Sequence, residues 1–93
     1  MATTILIVDD SLSIRQSTRF ILEQGNYLVR EASDGVEALK ALAGNKANLV
    51  ITDINMPNMD GLTLVKKIRE TPDTKFTPIL VLTTESQGSI IDE

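Results

Sequence analysis

Three short apolar runs constrain the fold of this chain more than any other feature: Ile5-Leu6-Ile7-Val8, the stretch from Asn48 to Thr52, and Ile79 to Leu82. The apolar residues in them are consecutive, without the alternation expected of a strand with one wet face. Each therefore reads as a strand covered on both sides. Such strands need helices above and below them, and the intervening sequence supplies helical spacing.

From Ser13 to about Gln24, Ile14, Ser17, Ile21 and Leu22 recur at helical intervals, and Gly25 is a natural stop. Tyr27 to Glu31 reads as a further strand, nearer a sheet edge because Arg30 and Glu31 are charged. Asp34 followed by Glu37 forms a capping-box pattern. Val36, Leu39, Leu42 and Ala43 continue as a stripe, and Gly44 ends that helix. A third helix carries Leu62, Val65, Ile68 and Arg69 to about Glu70, and "TPDTKFTP" is a loop. "TTESQGSIIDE" has the composition of another helix start. Strands and helices in strict alternation predict parallel βαβ units with right-handed crossovers. A chain of 93 residues has room for one such domain, and with Phe20, Tyr27 and Phe76 its only aromatics its core must be aliphatic.

Ligands of parallel sheets bind beyond the carboxyl ends of the strands, where the strand order switches. Here the first run ends in Asp9-Asp10, the third strand delivers Asp53, and the fourth runs into Thr83-Thr84. A single strand-end Asp serves as often as a cap or loop residue. Three on one rim repel each other, and like charges held together usually signal a cation. Oxygen-only ligands favour a hard ion, magnesium above all, which keeps water and phosphate as its remaining ligands. A carboxylate beside it can also act as the nucleophile that accepts a phosphoryl group, with the Thr83 hydroxyl placed to meet the phosphoryl oxygens. The chain has no cysteine and no histidine, which excludes disulfides, thiolate or histidine metal sites and a histidine-based triad. A net charge of −4 without a basic block excludes a nucleic-acid footprint in this segment. No signal peptide and no membrane-spanning run is visible, so the expected location is cytoplasmic.

In order and spacing, "ILIVDD", "VITDINMPNMDGL" and "PILVLTT" resemble the receiver domain of two-component response regulators, most nearly the single-domain chemotaxis type. The resemblance covers the whole chain, 1–93. It implies an α/β, flavodoxin-like (CheY-like) doubly wound parallel sheet with strand order 2-1-3 and onward. It further implies Asp53 as phosphoacceptor, with Mg2+ held by Asp10 directly, by Asp9 largely through water, by Asp53 itself and by the backbone carbonyl of Asn55. Thr83 matches the hydroxyl that contacts the phosphoryl group and switches on activation. Asn55, Thr84 and Glu85 match positions that tune the lifetime of the phosphoryl group or access to it. A sensor histidine kinase, or a small donor such as acetyl phosphate, would supply that group, and a downstream target protein would read it. In the loop that follows, Pro57 rigidifies the turn and Gly61 permits a close approach that a Cβ would obstruct. Met56 and Met59 are packing residues, and Asn58 and Asp60 are turn and cap residues.

The same resemblance exposes departures. Receivers continue for about another 25 to 30 residues, so the expected fold is incomplete, with about four strands, three full helices and the start of a fourth. The lysine that contacts the phosphoryl group has no counterpart, since none of lysines 40, 46, 66, 67 and 75 stands at a predicted strand end. An unpaired fourth strand rich in Ile, Val and Leu is a template for pairing, so a homo-oligomer or segment-exchanged dimer is expected. Weak magnesium binding and impaired phosphorylation are expected with it. Two rivals are weaker. A haloacid-dehalogenase-type phosphohydrolase needs D-x-D where this chain has Asp9-Asp10-Ser11, and flavodoxin needs a Gly-containing phosphate loop where this chain has "DDSLS". A non-signalling, self-associating receiver fragment is the third alternative.

Overall fold

A computed structural model describes residues 2–82. The order is β1 (Thr4–Val8), α1 (Leu12–Gln24), β2 (Leu28–Ala32), α2 (Gly35–Leu42), β3 (Leu49–Asp53), α3 (Gly61–Glu70) and β4 (Ile79–Leu82). All pairings are parallel, and the sheet order is β2-β1-β3-β4. The chain thus starts in the middle of the sheet, goes outward once, and then crosses to the other side. This puts the switch point between β1 and β3, where Val8 stands opposite Thr52.

Alternation along the strands divides the core in two. Leu6, Val8 and Val50 face α2 and α3, meeting Ala38, Leu42, Leu64 and Ile68. Ile5, Ile7, Val29 and Ile51 face the other way, toward Leu22 of α1. The core is aliphatic as expected, and Phe20, Tyr27 and Phe76 are all exposed.

Each helix begins on a side-chain cap. Ser11 accepts from the Ile14 amide, Asp34 from Glu37 and Asp60 from Thr63, satisfying amides that a helix start leaves orphaned. The capping box at Asp34 closes one residue early: Glu37 Oε1 accepts from the Ser33 amide at 2.7 Å. Gly25 caps α1 at ordinary φ, and Asn26 is the left-handed residue that turns the chain into β2.

The apolar faces differ from the sequence reading in phase. In α2 the buried positions are Gly35, Ala38 and Leu42, while Val36 is exposed. In α3 they are Gly61, Leu64 and Ile68, while Leu62 is exposed. A stripe read from composition is about half a turn wide, and the packing partner selects one edge of it. Helix α1 departs most, for it buries no residue completely. Arg15, Arg19 and Leu22 face β2, and Ile14 and Ile21 stand on the flank at 43% and 67% exposure. β4 was expected to be buried on both faces, yet Leu80 and Leu82, on the face shared with Ile51, are 49% and 43% exposed. Among the described residues nothing covers that face beyond α1.

Candidate functional site

The carboxyl ends of β1 and β3 lie side by side, so their loops open onto a common rim. Asp9, the residue after β1, and Asp53, the last of β3, are both buried at 6% exposure, and Asp10 is exposed between them and solvent. One carboxylate oxygen from each of the three lies within 4.8 Å of the others. At an effective dielectric of 20, two unit charges 4 Å apart repel by about 4 kcal/mol. The cluster therefore stores repulsion that a bound cation would relieve. Its donor set is all oxygen and suits a hard divalent ion.

The backbone explains why the cluster forms. Asp9 donates its amide to the Ala32 carbonyl at 3.1 Å, extending the β1–β2 ladder by one group. Its Oδ1 accepts from the Ser11 amide at 2.9 Å, bending the chain into the α1 cap. Asp53 Oδ1 accepts from the Ile54 amide at 2.8 Å, and its neighbour Thr52 turns a hydroxyl onto the Asp53 carbonyl at 2.9 Å. The loop from Ile54 to Asp60 returns so tightly that the Gly61 amide donates to the Ile54 carbonyl at 2.8 Å. A Cβ on Gly61 would stand 2.1 Å from the Asp53 carbonyl oxygen.

The other loop residues take the parts their types suggest. Asn58 adopts φ 69° and donates from Nδ2 to Asp34 Oδ2 at 2.7 Å, tying the loop to the start of α2. Met56 and Met59 pack against the α2–α3 core, and Asp60 caps α3. Asn55 lies exposed two residues after Asp53. Thr83, Thr84 and Glu85 lie outside the described residues. The five lysines sit on α2, after it, on α3 and before β4. The residue that sequence reasoning missed is Arg15, whose Nη1 donates to the Asp9 carbonyl at 2.7 Å. Its place in the first turns of α1, five residues after Asp10, was the available signal. A cleft of about 520 Å³ beside Leu42, Lys67 and Thr74 lies at the opposite end of α2 and α3.

Burial raises the Asp9 carboxyl above the ordinary carboxylate range, and the charges of Asp53 and Asp10 push the same way; the Ser11 amide and Arg15 oppose them. The folded chain thus holds the Asp9 proton more tightly than the unfolded chain does. Stability from this group is full below the unfolded pKa and is lost as pH rises through the folded one. Asp9→Asn is therefore expected to raise the melting temperature of the metal-free protein at pH 7, with the gain shrinking as pH falls below about 4. Thermal melts at pH 7 and pH 3.5 check this, and an equal gain at both values would contradict it.

Comparison with known proteins gives this rim its context. A family model described as the response regulator receiver domain matches residues 5–93. The chain belongs to that family. It is 43% identical over 89 residues to the response regulator MprA of Mycobacterium sp. strain KMS, and 40% identical to that of Mycobacterium tuberculosis strain H37Ra. These matches take in 96% of this receiver domain but only 38% of either MprA protein. Among solved structures, the chemotaxis response regulator CheY4 of Vibrio cholerae superposes with a TM-score of 0.88 at 41% identity, covering 99% of this chain and 77% of that one. The response regulator TrrA of Thermotoga maritima, solved in complex with Mg2+ and BeF, gives 0.83 at 36% identity, covering 91% of this chain and 72% of that one. The flavodoxin-like arrangement expected from the sequence is what these neighbours share, with four parallel strands among the described residues. Receiver domains are signalling phosphoacceptors rather than enzymes in general, take phosphate from histidine kinases, and typically bind Mg2+ at an acidic pocket. No helix among the described residues is long and apolar enough to cross a membrane.

Proposed function

We propose that residues 1–93 form a receiver unit that accepts a phosphoryl group on Asp53 with Mg2+ at the acidic rim. The observation that carries this reading is the convergence of Asp9, Asp10 and Asp53 within 4.8 Å at the switch point of a parallel sheet. The cation would be held by Asp10, by Asp53, by Asp9 through water and by the Asn55 carbonyl. When bound it would neutralise charge on the carboxylates and the incoming phosphoryl oxygens. An Asp53 oxygen then attacks phosphorus. An O–P bond forms, the bond to the donor's imidazole nitrogen or acetate oxygen breaks, and the leaving group departs with its electron pair. Thr83 would contact the transferred group, while Asn55, Thr84 and Glu85 would tune its lifetime. Any autocatalysis extends no further than this transfer and its hydrolysis.

The signal would pass to a target protein through a shift between two pre-existing states. Likeness to CheY4 supports a chemotaxis-type pathway. The MprA proteins are as similar in sequence, so partner identification decides the pathway. The test is intact mass after incubation with acetyl phosphate and Mg2+, beside circular dichroism on the same sample. One added phosphoryl group supports the reading, and none on a folded chain overturns it.

A second reading concerns assembly. Ile14, Ile21, Leu80 and Leu82 leave an apolar strip beside Ile51, and β4 is an edge strand among the described residues. Exposed edges and apolar patches of this kind favour association. The 93-residue polypeptide is therefore expected to self-associate, as a homo-oligomer or by segment exchange. A light-scattering mass of one compact, cooperatively melting monomer would refute that.

A further inference from the structure

Arg15, on α1, donates a side-chain hydrogen bond to the backbone of the acidic rim, and its geometry is specific. Its side chain is 15% exposed. Nη1 donates to the Asp9 carbonyl at 2.7 Å, and Nε donates to Glu31 Oε1 on β2 at 2.9 Å. The other Glu31 oxygen accepts from Arg19 Nη1 at 2.7 Å. The Glu31 carboxyl is held below the ordinary carboxylate range, first by the Arg19 bond and also by the Arg15 bond, with burial opposing them.

The position of the accepting group matters. β1 pairs with β2 as far as Val8 and Ala32, and with β3 as far as Val8 and Thr52. Asp9 therefore stands one residue past the ladder. Its amide is fixed by Ala32 and its carbonyl by Arg15. These two bonds set the orientation of the peptide that leads into Asp10. An arginine suits the task because its planar fork can donate to a carbonyl and a carboxylate at once in a fixed geometry. A lysine ammonium has the charge without the fork.

We propose that Arg15 is a positioning residue for the cation site: by holding the Asp9 carbonyl against β2 through Glu31, it fixes the stretch of chain that presents Asp9 and Asp10 toward Asp53. The inference rests on the rim being a Mg2+ site, and two measurements keep the two ideas apart. The first is Mg2+ affinity by titration calorimetry on the protein and on Arg15→Ala, Arg15→Lys and Arg19→Ala. The second is metal-free amide hydrogen exchange at Asp10 and Ser11, with Leu6 and Val50 as internal references.

Arg15→Ala and Arg15→Lys are each expected to weaken Mg2+ about tenfold, as loss of groups that orient metal ligands commonly does. Exchange at Asp10 and Ser11 is expected to rise by about tenfold with no change at Leu6 and Val50. Arg19→Ala loosens Glu31 without touching Asp9 and is expected to leave both readouts within about twofold. Wild-type affinity in Arg15→Ala, or equal losses in Arg19→Ala, would overturn the proposal, the latter showing a general clamp of α1 on β2. Full rescue by Arg15→Lys would overturn it too, since charge alone would then suffice. If the unaltered protein binds no Mg2+, the cation reading fails with this inference, and unchanged exchange in Arg15→Ala would show that the rim is not held by Arg15 at all.

Discussion

Gly61→Ala is expected to leave the chain without a stable native state. The added Cβ would lie 2.1 Å from the Asp53 carbonyl oxygen and 3.0 Å from both the Asp53 carbonyl carbon and the Ile54 Cα. These are backbone atoms, so no side chain can swing aside. The conflict is not with helix propensity, where alanine is the better residue, but with the approach of α3 to the end of β3. Relief requires moving α3 away from the sheet, and α3 supplies Leu64 and Ile68, both at 0% exposure. Large single-site losses arise from such clashes and from core disruption, and about 4 kcal/mol or more is expected. Small domains have only about 5–15 kcal/mol in all. Denaturant unfolding followed by circular dichroism checks this. A variant within about 1 kcal/mol of the parent would mean that the loop from Ile54 to Asp60 relaxes freely, contrary to the packing of Met56 and Met59.

Asp53→Asn is expected to abolish phosphoryl addition while preserving the fold. The substitution keeps the size of the side chain, and the amide oxygen can still accept from the Ile54 amide, the bond that Oδ1 makes at 2.8 Å. An amide oxygen is a far weaker nucleophile than a carboxylate, so transfer is lost outright rather than slowed. Removing one of three converging charges also changes the cation site. Mg2+ affinity is expected to fall about tenfold or more, while the melting temperature of the metal-free protein rises or holds, because repulsion with Asp9 is reduced. Intact mass after acetyl phosphate treatment and calorimetric titration read the two effects separately. Undiminished addition in Asp53→Asn would place the acceptor elsewhere in the chain.

Much of this molecule was legible without coordinates, for identifiable reasons. The apolar run at Ile5–Val8 marks a strand because strands covered by helices on both faces carry such continuous runs; Ile79–Leu82 marks one too, although Leu80 and Leu82 are half exposed. Asp34 and Asp60 announced helix starts because a carboxylate before a helical stripe satisfies orphaned amides. The bound at Gly61 was legible as a need for close approach, though the group approached was not. The motifs around Asp53 also sufficed to expect the receiver family, which the family match to residues 5–93 bears out. Which edge of each helical stripe would be buried was not legible. Val36 and Leu62 looked like core and are exposed, whereas Ala38 and Leu64 are buried.

What the sequence determined by itself was local and periodic: which segments are strands or helices, where they are capped, and that carboxylates stand at strand ends. Such features depend on neighbours a few residues apart, and the residue order records them directly. What only the tertiary structure decided was the meeting of groups distant along the chain. The convergence of Asp9 and Asp10 with Asp53 follows from β1 and β3 pairing in parallel register. The Arg15 bond to the Asp9 carbonyl follows from how α1 settles onto β2 with Glu31 beneath it. Helix phase belongs with these, because the face a helix buries is chosen by the surface it packs against.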